Sequence, residues 1–115
     1  MKLREQIPRP LRESALVLPG FGDGEGAWSG AEAVAVIDSL RGSIIAISEI
    51  ALFERAPWGY VPSETAMAID RRPNEGDADY AMRSRVSAAR FIRGCTPDSD
   101  DALFSLTFPI WKDAA

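Results

Sequence analysis

The chain contains no histidine and one cysteine, and these two shortages exclude several kinds of chemistry. Without histidine there is no Ser-His-Asp or Cys-His nucleophile and no histidine-ligated zinc, which are the commonest forms of those sites. Because Cys95 has no second cysteine to pair with, no intrachain disulfide can form, and the protein can fold in the reducing cytoplasm. We therefore expect a cytoplasmic protein that belongs to none of these enzyme classes.

Long apolar runs are also missing. No segment approaches the roughly 20 apolar residues that span a bilayer, and the basic N-terminus lacks the apolar stretch of a secretory signal. A chain of 115 residues with 46% hydrophobic residues suits one core. We expect residues 1–115 to form a single domain, with residues 1–10, which include Pro8 and Pro10, as a peripheral arm.

The charge balance is mildly acidic. There are 17 acidic and 13 basic residues, which gives a formal net charge of −4. Such a balance argues against a nonspecific nucleic-acid binder, which must neutralise phosphates with Lys and Arg. An acidic surface suits a basic partner, although the same charge also serves solubility alone. We expect no nucleic-acid or membrane partner, and the sequence leaves the oligomeric state open.

The segment from Gly20 to Gly26 has a glycine at every second position, and we interpret it as a loop. It lacks the Lys and the Ser or Thr of a phosphate-binding loop, and Asp23 and Glu25 would repel phosphate. A mobile loop is one interpretation. In the alternatives, the two carboxylates contact a partner or bind a metal weakly.

The best specified helix is predicted from Trp28 to Leu40. Ser29 and Glu32 have the spacing of a capping box, and Gly42 lies just past the end. Apolar residues at helical spacing predict a face that packs on a sheet: Ala33, Val36, Ile37 and Leu40.

A central strand is predicted within Ser43 to Phe53, the run richest in β-branched residues. Glu49 interrupts it, and a carboxylate in an apolar strand must reach solvent, find a partner or accept a raised pKa. Glu49 is therefore a candidate partner-binding residue. A strand end or bulge that turns it outward is the alternative.

An aromatic segment bracketed by prolines, Ala56 to Pro62, follows the strand and is interpreted as a loop. Exposed Trp and Tyr are enriched at interface hot spots. Trp58 and Tyr60 are thus candidates for partner contact or, alternatively, pack over the edge of the core. A short strand is possible at Thr65 to Ile69.

A second helix is predicted after the turn that ends at Gly76, with Asp77 or Asp79 in its first turn, where a negative charge complements the helix dipole. Arg85 interrupts its apolar stripe, and we expect it either to extend along the core edge or to pair with an acid such as Glu49. The predicted stripe consists of Ala78, Ala81, Met82, Ala89 and Ile92.

The following turn holds three carboxylates within four residues: Asp98, Asp100 and Asp101. It lacks the glycine and the distant Glu of an EF-hand loop, so it is either a solvated turn or a docking site for a cationic partner. A last strand is predicted from Ala102 to Phe108. The whole order predicts an α/β fold: a small two-layer sandwich with a short sheet of three to four strands and two main helices.

This order resembles the immunity protein 40 family, small cognate inhibitors encoded beside bacterial polymorphic toxins. The resemblance runs from about Trp28 to Phe108. Family members have Gly-Gly-Asp where this chain has Ser48-Glu49-Ile50. The segments that carry it are Trp28 to Ala33, Ile37 to Leu40, Ile44 to Ile47, Ser84 to Ile92 and Leu103 to Phe108.

The resemblance implies that the protein is not an enzyme, uses no cofactor or metal, and binds a toxin domain, which it neutralises by occlusion. We expect Trp58 and Tyr60 to anchor that interface, and a set of carboxylates to attract a basic toxin: Asp23, Glu25, Glu49, Asp98, Asp100 and Asp101. The first alternative is a small ligand-binding or catalytic domain that uses a buried Glu49 paired with Arg85. A structural subunit of a larger assembly is the second.

Overall fold

A four-stranded antiparallel sheet with helices packed on one face forms the fold, in a computed structural model that describes residues 6–21, 25–95 and 101–109. The predicted two-layer α/β sandwich is confirmed. In chain order the elements are α1 (Arg9–Ser14), β1 (Glu25–Trp28), α2 (Gly30–Ser39), β2 (Glu49–Ala56), β3 (Gly59–Ala68), α3 (Asp77–Gly94) and β4 (Leu103–Thr107).

The strands lie in the order β1-β4-β2-β3. Thr107 of β4 is opposite Glu25 of β1 on one side and opposite Glu49 of β2 on the other. On the outer side of β1, Leu16 exchanges two backbone hydrogen bonds with Ala27, at 2.9 and 3.0 Å. The outer edge of β1 is therefore partly covered, and β3 forms the other edge of the sheet.

The core lies between the sheet and helices α2 and α3. Alternation along each strand sends one set of side chains into this layer. The segment predicted as a peripheral arm contributes Ile7, which is 5% exposed and packs in the core. The largest fully buried apolar side chains are Val36, Leu40, Ile47, Ile50 and Leu106.

Helix α2 begins with the predicted capping box. The Ser29 hydroxyl accepts a hydrogen bond from the Glu32 amide at 3.3 Å and donates one to the Glu32 carboxylate at 3.0 Å. Gly42 follows the helix with φ of +83°, a conformation that favours glycine. The predicted start at Trp28 is wrong by two residues, because Trp28 pairs with Phe104 as the last residue of β1.

The predicted strand from Ser43 to Phe53 is wrong in its first half. Residues 44–48 lie outside the ladder, and β2 begins only at Glu49. The Ile47 amide donates to the buried Ser84 hydroxyl at 3.0 Å, and Arg85 donates to nearby carbonyl oxygens. Side chains of α3 thus satisfy backbone groups that a neighbouring strand would otherwise bind.

The loop predicted at Ala56 to Pro62 is wrong, because β2 and β3 form one long hairpin, whereas the strand predicted at Thr65 to Ile69 is present as the second half of β3. Ala56 is opposite Gly59, so Pro57 and Trp58 form a two-residue turn. Pro62 is tolerated because β3 is an edge strand. The pairing register shifts between Ala51 and Phe53, where β3 has extra residues.

Helix α3 has Asp77 and Asp79 in its first turn, as predicted, but its buried stripe differs from the prediction. Met82 is 58% exposed and Ala78 is also exposed. Tyr80, Ser84 and Arg85 are buried in their place. Each of the three makes a hydrogen bond to a backbone group of a preceding segment, so the buried face of α3 includes polar side chains outside the predicted apolar stripe.

A charged network holds the connection between β3 and α3. The Glu75 carboxylate accepts two hydrogen bonds from Arg83, both 2.8 Å, and one from the Arg72 amide at 3.0 Å. These bonds favour the ionised form and lower the pKa of Glu75 from 4.5 to about 2, with the Arg83 hydrogen bonds as the largest cause.

Because the pKa of Glu75 is depressed in the folded state, its stabilising contribution is present above pH 4.5 and is lost as the pH falls towards 2. We expect E75Q to lower stability at pH 7 and to weaken the loss of stability between those two pH values. Urea midpoints measured from pH 7 to 2 check this, with D79N at an exposed site as the control. Parallel curves for E75Q and the wild type would contradict it.

Candidate partner-binding groove

The face of the sheet opposite α2 and α3 carries an open groove of about 570 Å³. The same alternation that buries Ile50 and Leu52 in the core places Glu49, Ala51 and Phe53 on this face. The groove has an acidic end, formed by Glu25, Glu49 and Asp70, and an apolar end, formed by Phe21, Phe53 and Pro62. Its floor between them consists of the small residues Ala51, Ala66, Ala68, Ser105 and Thr107.

The acidic end is assembled by the strand register. Glu25 and Glu49 flank Thr107 in one row across the sheet, so their Cα atoms lie two strand spacings apart, about 10 Å. Asp70 follows Ala68, which is opposite Glu49. None of the three carboxylates forms an ion pair with a described residue, and no described residue that lines the groove is basic.

Two hydroxyl groups lie on the floor beside these carboxylates. Ser105 and Thr107 alternate along β4 with the core residues Phe104 and Leu106, so they face the groove. Ser105 is only 6% exposed. Within the described ranges its hydroxyl has no hydrogen-bond partner and is not enclosed, so it opens into the groove.

The apolar end is formed by an aromatic pair. The rings of Phe21 and Phe53 meet edge to face, with centroids 5.7 Å apart and an interplanar angle of 75°. Phe53 lies four residues along β2 from Glu49, which corresponds to about 13 Å in a strand. The groove therefore changes from carboxylate to aromatic lining over about 13 Å.

The hairpin tip is a second exposed feature. Trp58 is 80% exposed, whereas Tyr60 is half-buried and lies under Arg55, whose guanidinium carbon is 5.1 Å from the ring centroid. The strand rise places the tip about 25 Å from Glu49 along β2. Trp58 and the acidic end thus lie at opposite ends of one long hairpin.

The predicted pairing of Glu49 with Arg85 is wrong. Glu49 is exposed on the groove face, while Arg85 is buried on the core side and bonds to backbone carbonyls of residues 43 and 45. The sheet separates the two side chains. The ligand-binding or catalytic alternative depended on a buried contact between Glu49 and Arg85, and the two side chains do not make that contact.

The other predicted site residues have different outcomes. Glu25 belongs to β1 rather than to a loop and lines the groove with Glu49. Asp101 is exposed in the turn before β4, at the end of the sheet away from Glu49. Asp23, Asp98 and Asp100 lie outside the described residues. Sequence reasoning missed Asp70, Ser105 and Thr107, although the alternation along β4 was a usable signal for the last two.

Comparisons of the chain with protein-family models, with curated proteins and with solved structures gave no match. Of the helices in the described ranges, none has the length and apolar character needed to cross a membrane. Over the same ranges, no three or more Asp, Glu or Cys side chains are grouped so that they could hold a metal ion. The geometry of the groove is thus the main evidence for function.

Proposed function

We propose that the protein is an immunity protein, which binds a cognate toxin domain in the cytoplasm of the bacterium that makes it and occludes the toxin's active site or substrate path. The observation that carries this proposal is the open groove with three carboxylates that have no ion-pair partner among the described residues. An acidic concave surface on a sheet is complementary to a basic convex one, and such complementarity gives specificity and fast association.

The chemistry of the groove favours binding over catalysis. Ser105 is its most buried hydroxyl, and no base among the described residues lies within hydrogen-bonding distance of it. A serine hydroxyl is a weak nucleophile unless a neighbouring base activates it. The groove presents acceptors and apolar surface, which are the features that recognise a partner.

The size of the proposed interface is consistent with tight binding. A standard interface buries about 800 Å² on each partner, which corresponds to a patch about 30 Å across. Trp58 lies about 25 Å from the acidic end, so one interface of this size includes both. Aromatic anchors with a surrounding polar rim are typical of such hot spots.

The direct test is neutralisation of a toxin domain. The toxin domain encoded beside this gene is expressed in a bacterial host, with and without this protein, and colony formation is counted. We expect growth to be restored only by coexpression, and the two purified proteins to form a complex that lacks toxin activity. Toxin activity that persists in the presence of a stoichiometric excess of this protein would contradict the proposal.

Trp58→Ala is expected to weaken toxin binding by roughly 10- to 30-fold, mainly through faster dissociation, because truncating an aromatic anchor commonly costs about 2 kcal/mol. The melting temperature should not change, because Trp58 is 80% exposed. Biolayer interferometry measures both rates, and M82A, which truncates an exposed apolar residue on α3, is the matched control. Equal dissociation rates for W58A and M82A would remove Trp58 from the interface.

A further inference from the structure

We infer that the acidic end of the groove is a recognition pocket for an arginine side chain. That the toxin supplies this arginine rests on the proposed function. The pocket consists of the carboxylates of Glu25, Glu49 and Asp70 with the hydroxyls of Ser105 and Thr107. All five groups offer hydrogen-bond acceptors, and none of them is a cation.

The first argument is the set of unused acceptors. The three carboxylates have no ion pair with any described residue, and the Ser105 hydroxyl, which opens into the groove, has no hydrogen-bond partner in the same ranges. Hydrogen bonds from a charged donor to a carboxylate are about twice as strong as those between neutral groups. A ligand that brings several donors into the groove would satisfy these groups together.

The second argument is spacing. Glu25 and Glu49 lie on either side of Thr107, about 10 Å apart at Cα, and the three carboxylates do not form a group that could hold a metal ion. A guanidinium group is planar and carries five N–H donors, so it can bind separated carboxylates at once. An ammonium group is a compact point charge with three donors, which fits this spread less well.

The third argument is the shape of the route to the pocket. The floor beside Glu49 consists of Ala51, Ala66 and Ala68, and it leads towards the Phe21–Phe53 pair. Small side chains leave room for the aliphatic stem of a long residue, and apolar walls stabilise that stem. The groove thus matches an arginine that enters along the floor, with its stem over the alanines and its guanidinium at the acidic end.

The pocket can be tested without the toxin. The full chain, labelled with ¹⁵N, is titrated with N-acetyl-arginine amide, and with N-acetyl-norleucine amide as the probe that lacks the guanidinium. We expect saturable chemical-shift changes of the Glu49, Ser105 and Thr107 amides with the arginine probe only. The dissociation constant should be on the order of 1–10 mM, because a single small group makes few contacts. Addition of 0.5 M salt should weaken the binding.

Two variants localise the effect. E49Q removes one charge-assisted bond and should weaken binding of the arginine probe roughly 10-fold, and S105A should weaken it by about 3-fold. D38N, on the exposed surface of α2, should leave the affinity unchanged. Both groove variants alter residues that support no described hydrogen bond through their side chains, so folding is expected to be retained, and the amide spectrum itself reports it.

Several outcomes would overturn the inference: no saturable shift at the groove, equal shifts with the norleucine probe, or unchanged affinity in E49Q. Binding of spermidine more than tenfold tighter than the arginine probe at the same residues would overturn the assignment to a partner side chain, in favour of a free polyamine. Toxin neutralisation without arginine binding would overturn the pocket alone. Arginine binding without neutralisation would support the pocket and count against the proposed function.

Discussion

Arg85→Ala is expected to lower the free energy of unfolding by about 3–4 kcal/mol, because it removes the main polar support of residues 43–47. One Arg85 nitrogen donates to the Ser43 carbonyl at 2.8 Å and to the Ile45 carbonyl at 3.1 Å. Hydrogen bonds from charged groups contribute about 1.5–3 kcal/mol each, and removal of the donor leaves carbonyl oxygens without their partner in a buried region.

The position of Arg85 explains why the loss should be large. The side chain is buried, and burial lowers its pKa by disfavouring the charged form. Backbone carbonyl oxygens, rather than a carboxylate, offset the free-energy cost of burying the charged guanidinium. The same segment is held at Ile47 by the Ser84 hydroxyl, one residue earlier on α3. Arg85 and Ser84 therefore fix the backbone that leads into β2 and hence the position of Glu49.

Urea denaturation followed by far-UV circular dichroism measures the effect. Arg90→Ala, at an exposed position of the same helix, is the control and should change stability by less than about 0.5 kcal/mol. Arg85→Lys should fall between the two, since one ammonium can replace part of the bonding but not its geometry. Equal stabilities for R85A and R90A would mean that burial of Ile45 and Ile47 alone holds the segment.

The same contacts show where sequence reasoning stops. The capping box of α2 is local, because Ser29 and Glu32 are three residues apart, and it was predicted correctly. The partners of residues 43–47 are about 40 positions away on α3. An apolar β-branched run indicates extended backbone, but it does not say whether a strand or a side chain will bind its amides. The strand was therefore predicted too early.

Glycine and proline misled the prediction at β1 and β3. Gly26 is needed in β1 because the Trp28 indole lies directly over it, and a Cβ there would come within 2.8 Å of the ring. Pro62 lies in β3 because an edge strand has one side free of ladder bonds. Both reasons depend on neighbours in space rather than in sequence.

The candidate groove could be predicted only in part. Glu49 was noticeable because it is a charge within an apolar run, and this signal is local. Glu25 reaches the same face through the pairing of β1 with β4, and Asp70 through the pairing of β3 with β2, and the sequence specifies neither pairing. Strand order decides which carboxylates meet, so the acidic end is a property of the topology.

The double reversal E25K/E49K is expected to weaken binding of the proposed toxin partner by at least about 100-fold and to abolish neutralisation in the coexpression test. Two attractive contacts become repulsive, and like charges placed opposite each other in an interface cost several kcal/mol. The association rate should also fall, and its dependence on salt should become flatter, because steering by the groove is lost.

The informative control for E25K/E49K changes the total charge equally but at a different place. Glu13 and Asp38 lie exposed on α1 and α2, in surface ion pairs that contribute little to stability. If the position of the acidic end matters, E13K/D38K should neutralise the toxin and bind it within about threefold of wild-type affinity. If both double variants lose affinity to the same extent, long-range attraction by the acidic surface would explain binding, and the groove would have no special part in it. Because the two variants have the same net charge, the difference between their affinities measures what the strand register contributes by placing Glu25 and Glu49 on either side of Thr107.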